Sequence, residues 1–184
     1  LLAVSEQDAA RQASLVRLMR SHQAAGTILC ATGSPEECAE VTAHAGKMKL
    51  VFVDNVPPDI AADGVALDNH RAARLATEHI VACGHRRIAT IAGPAEQSPA
   101  IERLQGFLDT MQAHGLDVPA DLVRRGDFQV ERGYEASKAL LMAEPRPTAV
   151  FVANNHMLIG LMKVAAELGL TVPSDLSVAS IDDF

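Results

Sequence analysis

The chain has 184 residues, enough for one large domain or two small ones. Hydrophobic residues make up 48% of it but aromatic residues only 3%, so its cores must be built from Ala, Val, Leu and Ile, as in buried parallel sheets. The net charge is −7 with no long basic run, which excludes the electrostatic footprint of a nucleic-acid-binding surface. No apolar stretch approaches the roughly 20 residues of a membrane span.

The cysteines Cys30, Cys38 and Cys83 form an odd set without metal-ligand spacing. Unpaired thiols in apolar segments are typical of a reducing compartment, which predicts a cytoplasmic protein. His79 lies four residues before Cys83, but no second pair of ligands follows at zinc spacing, so we expect no metal site. Because the chain opens abruptly on the strand-like residues LLAVS, we expect it to be part of a longer protein.

One pattern recurs along the chain: a short apolar strand, a polar turn, an amphipathic helix and a glycine that ends the helix. The segment Ser34–Glu37 illustrates the helix starts, with an N-cap serine, a proline at the first helical position and a capping-box glutamate. The alternation requires crossover connections and therefore predicts an α/β fold with parallel sheets. The predicted strands are Leu1–Val4, Thr27–Ala31, Leu50–Val53, a possible Val65–Leu67, Arg87–Ala92, a weaker Leu122–Gly126, Val150–Ala153 and Ser177–Ile181. The helices are expected to end near Gly26, Gly46, Gly84, Gly115 and Gly169.

The segment Asp54–Asn69 interrupts this pattern with two prolines and a glycine. It can be a long surface loop or a crossover between two sheets. About 67 residues precede the crossover and 117 follow it, which is compatible with two small α/β lobes.

The last part of the chain, from Pro147 to Phe184, predicts two neighbouring parallel strands separated by one helix. The first strand ends in Asn154-Asn155 and the second in Asp182-Asp183. In open α/β sheets, ligands bind at the carboxyl edge of the strands, which is where these polar residues fall. The segment therefore predicts a small-molecule cleft, although Asp182 could instead be a turn cap.

Five segments resemble, in order, the effector-binding domain of the LacI (lactose-repressor) family of transcription regulators: EHIVACGHRRIATIAGP, IERLQGF, RGDFQVERGY, RPTAVFVANNHMLIG and VPSDLSVASIDDF. That domain shares its fold with periplasmic sugar-binding proteins (type I). The resemblance implies two Rossmann-like lobes with parallel sheets flanked by helices, a ligand cleft between them, a homodimer, and a helix-turn-helix head before Leu1 that binds operator DNA. It places the N-terminal lobe at residues 1–67 and the C-terminal lobe at 68–184, with parts of both lobes outside this chain.

The resemblance also implies which side chains bind the effector. Carboxylates and a guanidinium can bind adjacent hydroxyls in pairs, and a phenyl ring can lie against the apolar face of a sugar, so we expect a sugar or related small metabolite and no cofactor. The residues implied are Asp54, Gln97, Ser98, Arg103, Phe128, Asn154 and Asp182. From the residues alone, structural roles stay open for four of them besides Asp182: a solvated arginine (Arg103), a core aromatic (Phe128), a helix cap (Asn154) and a turn residue (Asp54). Asn155 stands where the family usually has aspartate, which keeps the cap but changes the local charge.

No pattern in the chain indicates catalysis. The segment Gly93–Ser98 lies between a strand and a helix but has neither G-x-G-x-x-G nor G-x-x-x-x-G-K-[ST], and there is no G-x-S-x-G elbow. We therefore predict an allosteric effector-sensing domain of a bacterial LacI-type regulator and not an enzyme. A periplasmic sugar-binding transport receptor is the alternative, disfavoured by the three unpaired thiols, and a Rossmann-type enzyme is a third and weaker one.

Overall fold

The computed structural model describes residues 1–58 and 60–182. Its contacts divide the chain into two compact units. The N-terminal unit comprises Leu1–Leu67 and Glu96–Pro99, and the C-terminal unit comprises Asp68–Ala95 and Ala100–Phe184. Each unit has a parallel sheet with helices packed on it, so the predicted α/β fold class is confirmed.

The N-terminal unit is built on a three-stranded sheet in the order β1-β2-β3, with both pairs parallel. The capping box predicted before the second helix is present, with Ser34 and Glu37 exchanging hydrogen bonds with each other's backbone. One small core, centred on Phe52 of β2, holds the sheet against the helices. The elements are α1 (Ala9–Ser21), β1 (Gly26–Leu29), α2 (Pro35–Ala45), β2 (Lys49–Val53) and β3 (Asp63–Val65).

Three predictions for this unit are wrong in detail. The segment Leu1–Val4 is exposed coil and pairs with none of the described strands, because an apolar pattern becomes a strand only where a neighbour exchanges backbone hydrogen bonds with it. Gly26 begins β1 and does not end α1, which stops at Ser21. The strand predicted at Val65–Leu67 lies two residues earlier, where it pairs with β2.

The C-terminal unit contains a four-stranded parallel sheet in the order β5-β4-β6-β7. The two central strands, β4 and β6, are buried along their whole length, as their continuous apolar sequences predicted. The helix α4 begins at Ser98, inside the short segment that belongs to the N-terminal unit, and continues in the C-terminal unit. The elements are α3 (Asn69–Ala82), β4 (Ile88–Ala92), α4 (Ser98–Ala113), a 3-10 turn (Ala120–Leu122), β5 (Val123–Arg125), α5 (Val130–Leu141), β6 (Ala149–Val152), α6 (Asn155–Glu167) and β7 (Ser177–Ser180).

Two apolar cores cover the two faces of this sheet. One lies under α5 and α6, and the other, under α3 and α4, includes the stacked rings of Phe107 and Phe151 with centroids 6.0 Å apart. The helices α5 and α6 approach so closely that a Cβ added to Gly160 would lie 2.4 Å from the backbone nitrogen of Tyr134. This tight packing fixes where both helices begin, at the carboxyl edge of the sheet. Among the described residues, no helix has the length and apolar character needed to span a membrane.

Candidate functional site

The candidate site of the C-terminal unit lies at the carboxyl edge of its sheet, where four of the predicted ligand residues are found. Asn154 follows β6, Phe128 follows β5, Asp182 follows β7, and Arg103 lies in the second turn of α4, the helix after β4. The structure brings Arg103, Phe128 and Asn154 together through hydrogen bonds and a ring contact. These strand ends are the place where the topology of a parallel sheet predicts a ligand.

The Arg103 side chain is held by the protein from several directions. It is 5% exposed, its Nε donates to Oδ1 of Asn69 at 2.8 Å, and its Nη1 donates to the carbonyl oxygen of Ala153 at 2.6 Å. Its guanidinium carbon lies 5.7 Å from the centroid of the Phe128 ring. The interpretation of Arg103 as a solvated surface residue is therefore wrong. Taking a guanidinium out of water is costly, so its burial at a strand edge favours a functional role.

Phe128 is fixed by an unusual backbone as well as by packing. Asp127 and Phe128 both have positive φ, 51° and 58°, which non-glycine residues adopt only at some energetic cost. The ring packs on the edge of the core under α5 and α6 and against the backbone of Gly93, where an added Cβ would lie 2.4 Å from a ring carbon. The ring is only half-buried, so part of it can still meet a ligand.

Asn154 has the cap role that the sequence allows. Its Oδ1 accepts the backbone N–H of Met157 at 3.0 Å, and its Nδ2 donates to the carbonyl oxygen of Phe128 at 3.3 Å. These two bonds tie the start of α6 to the strained Phe128 backbone. A direct ligand contact for Asn154 stays a prediction, as it does for Asp182, which is exposed and has a φ of 68°.

In the N-terminal unit, Asp54 follows β2 directly and is exposed, with a φ of 66°. The Cys30 thiol lies 3.9 Å from Oδ2 of this carboxylate. Cys30 is an exposed residue, but desolvation of its sulfur by the neighbouring protein atoms, together with the negative charge of Asp54, raises the pKa of Cys30, while a backbone hydrogen bond from Asn55 opposes this shift. Cys30 is therefore a neutral thiol beside the carboxylate.

Ser98 and Asn55 form a partly buried link within the N-terminal unit. The amide of Asn55 donates to the carbonyl oxygen of Ala31 at 2.9 Å. The Ser98 hydroxyl lies 3.1 Å from Oδ1 of Asn55 and 3.2 Å from the carbonyl oxygen of Val56, so its one proton is shared between two acceptors. Ser98 thus has a structural role, and the ligand roles of Ser98 and its half-buried neighbour Gln97 stay predictions.

Sequence reasoning missed two residues that form hydrogen bonds with predicted ligand residues, Asn55 in the N-terminal unit and Asn69 in the C-terminal unit. Both are almost fully buried and both accept a hydrogen bond from a predicted ligand residue, Ser98 and Arg103 respectively. The only local signal was an asparagine next to an aspartate at the end of a strand or the start of a helix. Within residues 1–58 and 60–182, no three His, Cys, Asp or Glu side chains are grouped so that they could hold a metal ion.

The fold and the site define a periplasmic binding protein-like domain, and a family model of that description matches residues 77–184. The ribose operon repressor of Escherichia coli (strain K12) is 30% identical over 183 residues, which cover 100% of this chain and 56% of that protein. A solved LacI family transcriptional regulator from Mycobacterium smegmatis has 30% identity and a TM-score of 0.86, covering 95% of this chain and 64% of the other. The structure of a complex between the transcriptional regulator CelR and cellobiose has 30% identity and a TM-score of 0.81, and the match covers 92% of this chain and 52% of the CelR chain.

The chain belongs to the LacI family of transcriptional regulators, which confirms the resemblance found in its sequence. It spans about half the length of the curated relatives it matches. The interpretation as a binding domain and not an enzyme agrees with these relatives, which are repressors and regulators of transcription.

Proposed function

We propose that this chain is the effector-sensing part of a bacterial transcription regulator and that it binds a sugar or a related small metabolite. The observation that carries the proposal is Arg103, a guanidinium held in one orientation at the carboxyl edge of the sheet beside the Phe128 ring. A guanidinium donates paired hydrogen bonds to adjacent oxygens, and the ring offers an apolar surface to the carbons between them. The ligand roles of Asp54, Gln97, Ser98, Asn154 and Asp182 belong to the same proposal.

The relatives support a sugar as the ligand class. One is a ribose operon repressor, and the solved CelR structure is a complex with cellobiose. Both sugars present several hydroxyls on rings that also carry apolar C–H groups, which matches the pairing of a guanidinium with a phenyl ring.

In the full-length protein, we propose that effector binding changes the affinity of a separate segment for operator DNA, and that the protein is a cytoplasmic homodimer. An effector can shift such an equilibrium only through different affinities for the two states, typically about 1–3 kcal/mol of coupling. The acidic charge of this chain agrees with DNA being bound elsewhere in the protein.

The test is a thermal-shift panel on the full-length gene product with D-ribose, cellobiose, sugar acids, polyols, purines and nucleotides. We expect a sugar-type compound to raise the melting temperature, since a ligand that binds only the native state stabilises it by about 2.7 kcal/mol at a hundred times its Kd. Arg103→Ala should remove that response. Arg132→Ala, which deletes an exposed arginine that forms an ion pair with Glu135 on the same helix, should keep it.

Two outcomes would contradict the proposal. A response confined to nicotinamide or nucleoside phosphates would support a Rossmann-type enzyme instead. An undiminished sugar response in Arg103→Ala would remove the arginine from the site and with it the argument for this ligand class.

A further inference from the structure

Asn69 is a buried polar residue beside the candidate site that neither the sequence nor the family match assigns to it. It is the first residue of α3 and only 1% exposed, and its Oδ1 accepts the Nε–H of Arg103 at 2.8 Å. The helix is capped by another residue, Asp68, whose side chain accepts the backbone N–H of Arg71. The capping of α3 therefore does not explain why an asparagine is buried at its first position.

The contact with Asn69 matters because of where on the guanidinium it falls. An arginine side chain has several rotatable bonds, and a single contact leaves its planar group free to turn. In this structure Asn69 holds Nε, the Ala153 carbonyl holds Nη1, and the Phe128 ring lies 5.7 Å from the guanidinium carbon. Two anchors on different nitrogens fix both the plane of the group and the direction of its remaining N–H bonds.

The chemistry of the amide also matters. An amide oxygen accepts the Nε–H bond without adding a negative charge, so this partner does not neutralise Arg103. Asn69 and Ala153 bind two different nitrogens of the guanidinium, so together they set the orientation in which the group faces an effector.

We propose that Asn69 is a positioning residue, whose amide oxygen sets the orientation in which Arg103 meets the effector. This inference rests on the proposed function, because it assumes that Arg103 is a ligand contact. Asn69 itself acts through Arg103 and does not touch the effector.

The first experiment needs no effector. In the full-length gene product, NMR of the arginine side chains would follow the Nε–H signal of Arg103, assigned by its loss in Arg103→Lys. The signal should exchange slowly with solvent in the wild type and in Asn69→Asp, which keeps an acceptor oxygen, and at least about tenfold faster in Asn69→Ala. Thr77→Val is the matched control, since it removes a different buried hydrogen bond from the same helix and should leave the signal unchanged. Equal exchange in wild type and Asn69→Ala would overturn the inference.

The second experiment is a double-mutant cycle on binding, with D-ribose and cellobiose as the probes. Asn69→Ala should weaken binding of the sugar that is bound by about tenfold, and Asn69→Asp, which keeps the acceptor oxygen but adds a negative charge beside Arg103, should recover only part of that loss. In an Arg103→Ala background, Asn69→Ala should change the affinity by less than about twofold, because a positioning residue has nothing left to position. A loss of equal size in both backgrounds would show a general structural role and overturn the inference. If the wild type binds neither sugar, the cycle uses the sugar-type compound that the thermal-shift panel identifies. If the panel identifies none, the proposed function fails, and the NMR comparison alone decides whether Asn69 positions Arg103.

Discussion

The two units hold their predicted ligand residues in different ways. In the C-terminal unit, Arg103 and Asn154 are buried, and both are bonded to the backbone that follows the strands. In the N-terminal unit, Asp54 is exposed, and what distinguishes it is a left-handed backbone and a neutral thiol at 3.9 Å. We propose that, if these residues bind the effector, the C-terminal unit presents a preorganised surface, whereas the N-terminal unit presents a carboxylate that can adjust to its ligand.

The cores explain this difference. The central strands of the four-stranded sheet are covered on both faces, so their carboxyl ends cannot shift without disturbing close packing. The three-stranded sheet has a single small core, and its strands β1 and β3 carry exposed residues, among them Ile28 and Val65. Asp54 follows the central strand β2, in which Phe52 is the only buried residue, so its surroundings hold it less firmly than the strand ends of the four-stranded sheet hold Arg103 and Asn154.

The largest expected effect comes from the α5–α6 contact that supports the rigid site. In Gly160→Ala, the new Cβ would lie 2.4 Å from the Tyr134 nitrogen and 2.5 Å from the Val130 carbonyl oxygen, and backbone atoms cannot move aside as a side chain can. We expect the free energy of unfolding to fall by about 3 kcal/mol, measured by urea denaturation. In Gly26→Ala, in the N-terminal unit, the nearest atom to the new Cβ would be the Lys49 carbonyl oxygen at 3.1 Å. This substitution should lower the free energy of unfolding by less than about 1 kcal/mol. Equal losses would contradict the contrast in packing.

A smaller effect is expected from Asp54. Asp54→Asn should weaken binding of the sugar identified in the thermal-shift panel by about threefold, because contacts of an exposed carboxylate are screened by water. Arg103→Ala should weaken it by about thirtyfold, since hydrogen bonds to a buried charged group are stronger. Isothermal titration calorimetry would measure both, with Asp63→Asn, another exposed aspartate of the same unit, as the control. If Asp54→Asn cost as much as Arg103→Ala, the two units would contribute equally and the comparison would fail.

The smallest expected effect concerns the reactivity of Cys30. Desolvation and the neighbouring Asp54 carboxylate raise the pKa of this thiol, so the reactive thiolate is scarce at neutral pH and grows only as the pH rises above the ordinary thiol range. The rate of alkylation by iodoacetamide, measured by mass spectrometry, should therefore begin to increase at a higher pH for Cys30 than for a free thiol. Asp54→Asn removes the charge but not the desolvation, so it should accelerate the reaction by no more than about threefold. A Cys30 that reacts fully at neutral pH would show that neither desolvation nor the Asp54 carboxylate raises the pKa of this exposed cysteine.

Much of the fold could be predicted because local signals determine it. The strands β4 and β6 are continuous apolar runs, and four of the predicted glycines follow helix ends and have the positive φ that glycine adopts at little cost. The capping box at Ser34 and Glu37 depends only on residues three apart. Leu1–Val4 has an equally apolar pattern but forms no strand, because pairing depends on a partner that its own sequence does not specify.

For the candidate site, the sequence by itself determined the residue types and the strand ends to which they belong. It could not decide whether Arg103 is solvated or buried, nor that Asn69, 34 residues earlier in the chain, accepts its Nε–H. Those properties depend on how α3 and α4 pack on the sheet, which is set by long-range contacts. Local sequence determines the conformation of a segment, since neighbouring residues act on the same few backbone torsions. Only the tertiary structure decides the surroundings of a side chain, because its partners come from distant segments that the folded sheet brings to one edge.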